Sequence, residues 1–205
     1  MQIDFLFAIA VLIISVMLHE ISHGYAAYFL GDSTAKYAGR LTLNPLKHLE
    51  IFGSIILPVF TYLTGKFILG WAKPVPFNPY NLKNQKWGLA LVGIAGPATN
   101  FLLAAVFGLG IRLNDALIFL PVSFSQLAAL IVLINIQLGI FNLVPIPPLD
   151  GSRLVSAFLP YRFQKIQFLL ERYAFIFVLI FIFFAWQYLL PIIIYLFELI
   201  TGLNI

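Results

Sequence analysis

Hydrophobic positions in this chain fall into long blocks, with little of the alternation that marks a half-buried strand. The first block runs over residues 5–30, between Asp4 and Asp32, and is apolar on all sides except at one place. Wholly helical it would measure about 39 Å, so it predicts a membrane-spanning helix ended by Gly31-Asp32. A second span is predicted over 89–111, with small residues crowded into Gly93-Ile94-Ala95-Gly96-Pro97-Ala98-Thr99-Asn100. Small residues let helices approach closely in lipid. Arg112, Asn114 and Asp115 then predict an outside loop. A third span over 125–144 carries Asn135, Gln137 and Asn142 and stops at Val144-Pro145-Ile146-Pro147-Pro148-Leu149-Asp150-Gly151. Extended backbone at that depth is tolerated only inside protein or beside a wet cavity. Residues 173–200 are apolar again, with Pro191 inside them. They predict one long kinked span, with two short segments as the alternative.

Between the blocks the pattern is more broken. Residues 51–63 are apolar but interrupted by Gly53 and Pro58, and fall short of the ~17 residues a span needs. A re-entrant or interfacial element is expected there, or else a span extended to Leu69 across Lys66. Gly39-Arg40-Leu41-Thr42-Leu43-Asn44-Pro45 and Gly70-Trp71-Ala72-Lys73-Pro74-Val75-Pro76-Phe77-Asn78-Pro79 read as short extended segments. Together they predict a small sheet at the membrane surface, able to take an extended peptide as an added strand. Residues 152–172 read as a basic, partly helical surface segment. The predicted fold is an all-α polytopic membrane protein. It has three core helices, short surface strands with a re-entrant segment, and one or two C-terminal membrane helices. One domain over 1–205 is expected, its core near 5–160.

Composition agrees. Of 205 residues, 61% are hydrophobic and 10% charged, whereas soluble domains carry about 25% charged residues. No basic n-region precedes the first block, so no cleavable signal peptide is expected. There is no cysteine, which excludes disulfides, thiolate ligands and a cysteine nucleophile. The net charge is +4, and eleven of the twelve basic residues lie in three loops, around Lys36–Lys47, Lys66–Lys86 and Arg153–Arg172; only Arg112 lies elsewhere. That distribution reads as cytoplasmic loops of a cell-membrane protein and not as a nucleic-acid surface.

The exception within the first block is His19-Glu20-Ile21-Ser22-His23. Positions i and i+4 share a helix face, so His19 and His23 can hold one metal ion, with Glu20 beside them as a general base toward water. Ionisable groups at membrane depth are expensive and mark function. A hydrolytic zinc site has three protein ligands and an open position. Without cysteine the third comes from His48, Glu50 or Asp150. Asp150 is the best of these, because it follows a proline-broken helix end with no basic partner in its immediate segment. It would lie at a cytoplasmic-side depth matching the His19–His23 pair. Asn142 could hydrogen-bond substrate backbone or a developing oxyanion. Asp150 as a mere turn residue and Asn142 as a helix–helix contact are the plainer readings.

HEISH on a first helix, GPATN on a second and NLVPIPPLDG after a third resemble the site-2 protease family of intramembrane zinc metalloproteases. The pieces GRLTLNP and GWAKPVPFNP resemble its minimal prokaryotic branch, which lacks PDZ-like and nucleotide-binding regulatory domains. The resemblance implies His19, His23 and Asp150 as ligands of one Zn²⁺, Glu20 as catalytic glutamate and Asn142 as active-site asparagine. It further implies cleavage of transmembrane protein substrates in the bilayer, toward the cytoplasmic side, with oligomeric state left open. A membrane protein that binds or transports zinc through the same ligands is the alternative, and Glu20 separates the two. A transporter gains nothing from a general base.

Overall fold

The computed structural model describes residues 5–56, 58–60, 63, 72–117, 121–159 and 169–204. The chain divides into two compact units, Met1–Gly88 and Leu89–Ile205. Among the described residues every regular element is helical.

The first unit is built on α1 (Phe5–Phe29). Its end is a Schellman closure: Gly31 adopts φ 111°, its N–H reaches the Tyr28 carbonyl, and the Asp32 N–H reaches the Ala27 carbonyl. Asp32 is fully buried directly beyond it. Its carboxylate accepts hydrogen bonds from the Thr34 N–H and hydroxyl, the Asn78 N–H at 2.7 Å and the Asn81 amide at 2.8 Å. Burial pushes this carboxyl up, but the hydrogen bonds outweigh burial and hold it below its ordinary value. A short helical turn, α2 (Thr34–Tyr37), follows. Asn44-Pro45 and Asn78-Pro79 then use one local device twice. Each asparagine side chain caps a 3₁₀ turn whose first position is proline, over Pro45–Lys47 and Pro79–Asn81.

The expected surface sheet is not formed among the described residues. Residues 41–43 are bends, and 72–78 are extended without a ladder partner. The physical reason is that groups from elsewhere in the unit, both side chain and backbone, hold the polar backbone of 73–78. Arg40 donates to the carbonyls of Lys73 (2.7 Å) and Pro74 (3.3 Å), and the Lys73 N–H donates to the His48 carbonyl at 2.8 Å. Pro74 and Pro76 have no N–H to offer. In the 51–63 region a π-helical turn covers Phe52–Ile56 and residues 58–60 are helical. Ile51, Phe52, Ile56 and Phe60 are exposed, and most of the rest of the stretch, on which the expected re-entrant element depends, lies outside the described residues. The possible extension to Leu69 lies outside the described residues.

The second unit holds most of α3 (Gln85–Leu117), with α4 (Val122–Leu143), α5 (Asp150–Phe158), α6 (Ala174–Ile180) and α7 (Leu190–Thr201). α1, α3 and α4 are each long and apolar enough to cross a membrane. α3 outruns its predicted limits at both ends, and α4 begins three residues before its own. In particular, Arg112, Asn114 and Asp115 are helical and not loop. Arg112 is accommodated because its guanidinium donates to the Leu199 and Ile200 carbonyls at 2.6 and 3.0 Å, groups left over at the end of α7. The Asn114 amide donates to the Ser125 hydroxyl at 3.2 Å. The core of the unit includes Ala104, Ile111, Val132, Ile136, Ile193 and Phe197. At its centre the Asn100 amide donates to the Asn135 side-chain carbonyl at 2.9 Å, both residues fully buried.

The C-terminal apolar stretch is one broken element. Ala174–Tyr188 and Leu190–Thr201 are bent by 58°. The break falls at Leu189, just before Pro191, and includes a π-helical turn at Phe181–Ala185 and a 3₁₀ turn at Trp186–Tyr188. Phe175, Phe183 and Phe184 are exposed, as lipid-facing bulk should be, while Phe181 turns inward among Phe141 and Trp186.

Candidate metal centre

In the first unit His19 and His23 stand one above the other on α1, each about 5% exposed or less. Their Nε2 atoms lie 3.0 Å apart, with the rings edge to face at 85°. Two nitrogen ligands on one tetrahedral zinc, with bonds of about 2.05 Å, lie about 3.3 Å apart. The separation of the pair is thus close to what a shared cation requires. The Ser22 hydroxyl donates to the His19 carbonyl at 2.6 Å.

Glu20, the residue between the histidines' two turns, is half-buried. Its Oε2 accepts the backbone N–H of Val75 at 2.8 Å. One turn further, Gly24 leaves room for that approach. A Cβ there would meet a Leu41 methyl at 2.6 Å and a Val75 methyl at 2.9 Å. His48 is buried, and its Nε2 donates to the Thr42 carbonyl at 2.9 Å; Nδ1 has no hydrogen-bond partner. It fastens a loop. Glu50 meets Ser54 in a reciprocal pair of bonds through its own N–H and carbonyl.

In the second unit Asp150 is the first residue of α5 and is buried. A carboxylate there sits favourably at a helix N-terminus. The expectation that it has no basic partner nearby is overturned: Arg153, one turn on, donates to its Oδ1 at 2.8 Å. Proline-broken backbone at 144–149 separates Asp150 from α4, and the two helices still approach closely. A Cβ on Gly151 would collide with the Leu143 carbonyl, and one on Gly93 of α3 would press on the Asp150 carbonyl and the Arg153 Cβ at 3.1 Å. Asn142 is half-buried near the end of α4, and one amide proton goes to the Leu138 carbonyl of its own helix at 3.0 Å.

Arg153 and Val75 are the two supporting residues that motif reading passes over. Arg153 is legible once α5 is known to begin at Asp150, since i and i+3 are neighbours on a helix. For Val75 no local signal exists.

The profile described as peptidase family M50 matches residues 118–186, which hold Asn142, Asp150 and Arg153. The chain is 38% identical over 159 residues to YwhC of Bacillus subtilis, named as a zinc metalloprotease by inference; the match covers 75% of this chain and 69% of that one. It is 32% identical over 148 residues to Rip2 of Mycolicibacterium smegmatis, named in the same way, covering 72% of this chain and 55% of the relative. A match to zinc metalloprotease MJ0392 of Methanocaldococcus jannaschii is 26% identical and covers 72% of this chain and 33% of the other. No solved structure matches it significantly.

Proposed function

This chain belongs to peptidase family M50, the zinc metalloproteases of site-2 type, and on that premise we propose that it is an intramembrane endopeptidase hydrolysing peptide bonds within or near transmembrane segments of membrane proteins. The observation that carries the reading is the His19–His23 pair, two imidazole nitrogens 3.0 Å apart with Glu20 between them in sequence, inside a helix of membrane-spanning length and hydropathy.

His19, His23 and Asp150 would hold the zinc, with the two units acting as one domain. When bound, zinc supplies Lewis acidity toward a water and toward the scissile carbonyl. Glu20 takes one proton from the attacking water as its oxygen adds to the carbonyl carbon. As the C–N bond breaks, the same carboxyl passes that proton to the leaving nitrogen, so one water is added across the bond. Asn142 keeps one amide proton for the carbonyl oxygen as negative charge develops there, a contribution of about 3 kcal/mol in comparable sites. The basic loops support placing this chemistry toward the cytoplasmic side of a cell membrane.

The test is Glu20→Gln in the full chain, reconstituted with a single-pass model substrate. The variant should retain zinc and lose cleavage by at least 10³-fold, the scale of a missing general base. Undiminished cleavage would remove Glu20 from the mechanism. The zinc-transport alternative is not favoured, since the relatives matched are named as metalloproteases.

A further inference from the structure

We propose that the extended segment 73–78 is the positioning element of the general base, acting through the Val75 backbone amide on Glu20. This rests on the protease reading above.

The segment is held at four separate places by groups of its own unit. The His48 carbonyl takes the Lys73 N–H, Arg40 takes the Lys73 and Pro74 carbonyls, Glu20 takes the Val75 N–H, and Asp32 takes the Asn78 N–H. Val75 is 5% exposed, and its side chain lies against Gly24. Prolines on both sides of Val75 keep the backbone extended and remove the neighbouring donors. The Val75 N–H is thus one donor, fixed in place and aimed at one carboxylate oxygen of Glu20.

A glutamate on a helix has three rotatable side-chain bonds. Anchoring Oε2 leaves Oε1 as the oxygen that meets water. Misplacement of a reacting group by about 1 Å can cost 10²-fold in rate. The arrangement also bears on the strand-addition idea. The Lys73, Val75 and Asn78 N–H groups all have partners within the unit and Pro74 and Pro76 have no N–H, so these five positions offer an incoming peptide no donor edge.

The decisive variant is Val75→Pro. A third proline in this proline-flanked segment deletes the N–H, puts a ring carbon where the proton pointed and removes the valine side chain. The full chain is compared with Val75→Ala, which keeps the donor. Val75→Pro should lose 10- to 100-fold in kcat, with KM within about threefold and zinc content at the wild-type level. Val75→Ala should recover most of that loss. Wild-type kcat in Val75→Pro would overturn the proposal, as would faster cleavage, which would make the amide a block on Glu20. An equal loss in both variants would assign the effect to packing against Gly24. Hydrogen exchange supplies a readout independent of turnover: the Val75 amide should be protected in the wild type and exchange at least tenfold faster in Glu20→Ala. Unchanged exchange overturns the contact itself. A protected amide in a zinc-loaded chain that cleaves nothing sinks the protease reading and, with it, the role assigned to the amide.

Discussion

Arg153 and Asp150 form an ion pair at 2.8 Å across the first turn of α5, with the Asp150 side chain 7% exposed and that of Arg153 32% exposed. The guanidinium has two opposed effects on a cation held by Asp150. It repels the cation, and it fixes the carboxylate. Arg153 is only partly buried, which weakens the first effect, whereas the second is geometric and unscreened. Arg153→Met should therefore weaken zinc binding by 10- to 100-fold, with Arg153→Lys between it and the wild type. Competition against a chelator of known affinity measures this. Tighter zinc binding in Arg153→Met would show that repulsion dominates.

Asp32 links acidity to stability. Its carboxyl is held below the ordinary range by its hydrogen bonds, so its contribution is present above the unfolded-state value near 3.9. That contribution is lost as pH falls through the lower folded value. Thermal unfolding in detergent between pH 6 and pH 3 should show this loss in the wild type. Asp32→Asn should be less stable at pH 6, because its side-chain amide cannot accept at both oxygens, and should lack that component of the acid slope. A slope identical in both chains would remove Asp32 as its source.

Gly151→Ala and Gly24→Ala differ in what the new methyl meets. At 24 it meets the methyl ends of the Leu41 and Val75 side chains and, at 3.3 Å, the Ala35 Cβ; at 151 it meets a backbone carbonyl. Side-chain ends move aside at low cost, whereas a carbonyl at a helix end moves only if the helix does. Gly151→Ala should thus displace the start of α5, destabilise the chain by about 1–3 kcal/mol and lower zinc occupancy. Gly24→Ala should leave zinc occupancy within about twofold of the wild type, because neither His19 nor His23 is among the atoms met. Metal analysis after gel filtration separates the two.

Asn100 and Asn135 test the packing of α3 on α4. Asn100→Leu leaves the Asn135 oxygen without this donor in an apolar interior and should cost about 1–2 kcal/mol. The double variant with Asn135→Leu should recover part of that cost, and the cycle of four chains gives the coupling directly.

Lipid made the long helices easy to read. Hydrocarbon permits no unsatisfied backbone, so an uninterrupted apolar run such as 5–30 has one stable conformation. The histidine pair was legible for the same reason, since helical spacing alone brings residues 19 and 23 together. The sheet was not. An alternating, proline-edged pattern encodes extended backbone, but not what the backbone bonds to, and Arg40, Glu20 and Asp32 lie far away in sequence. Arg153 escaped notice because Asp150 reads as the close of one helix and not as the opening of the next. The end of α3 was set too early because Arg112 looks like a loop residue until the free carbonyls of α7 are known.

Those carbonyls also bear on how often the chain traverses the bilayer. Arg112 lies near the far end of α3, so Leu199 and Ile200 must emerge at that same water boundary. Asn114 and Ser125 put the beginning of α4 there too, and α4 then returns to the opposite side by Leu143. The bent pair around Leu189, taken as one element, is long and apolar enough to make a further passage after α4. Within the second unit, the far end of α3, the beginning of α4 and the end of α7 then stand at one face.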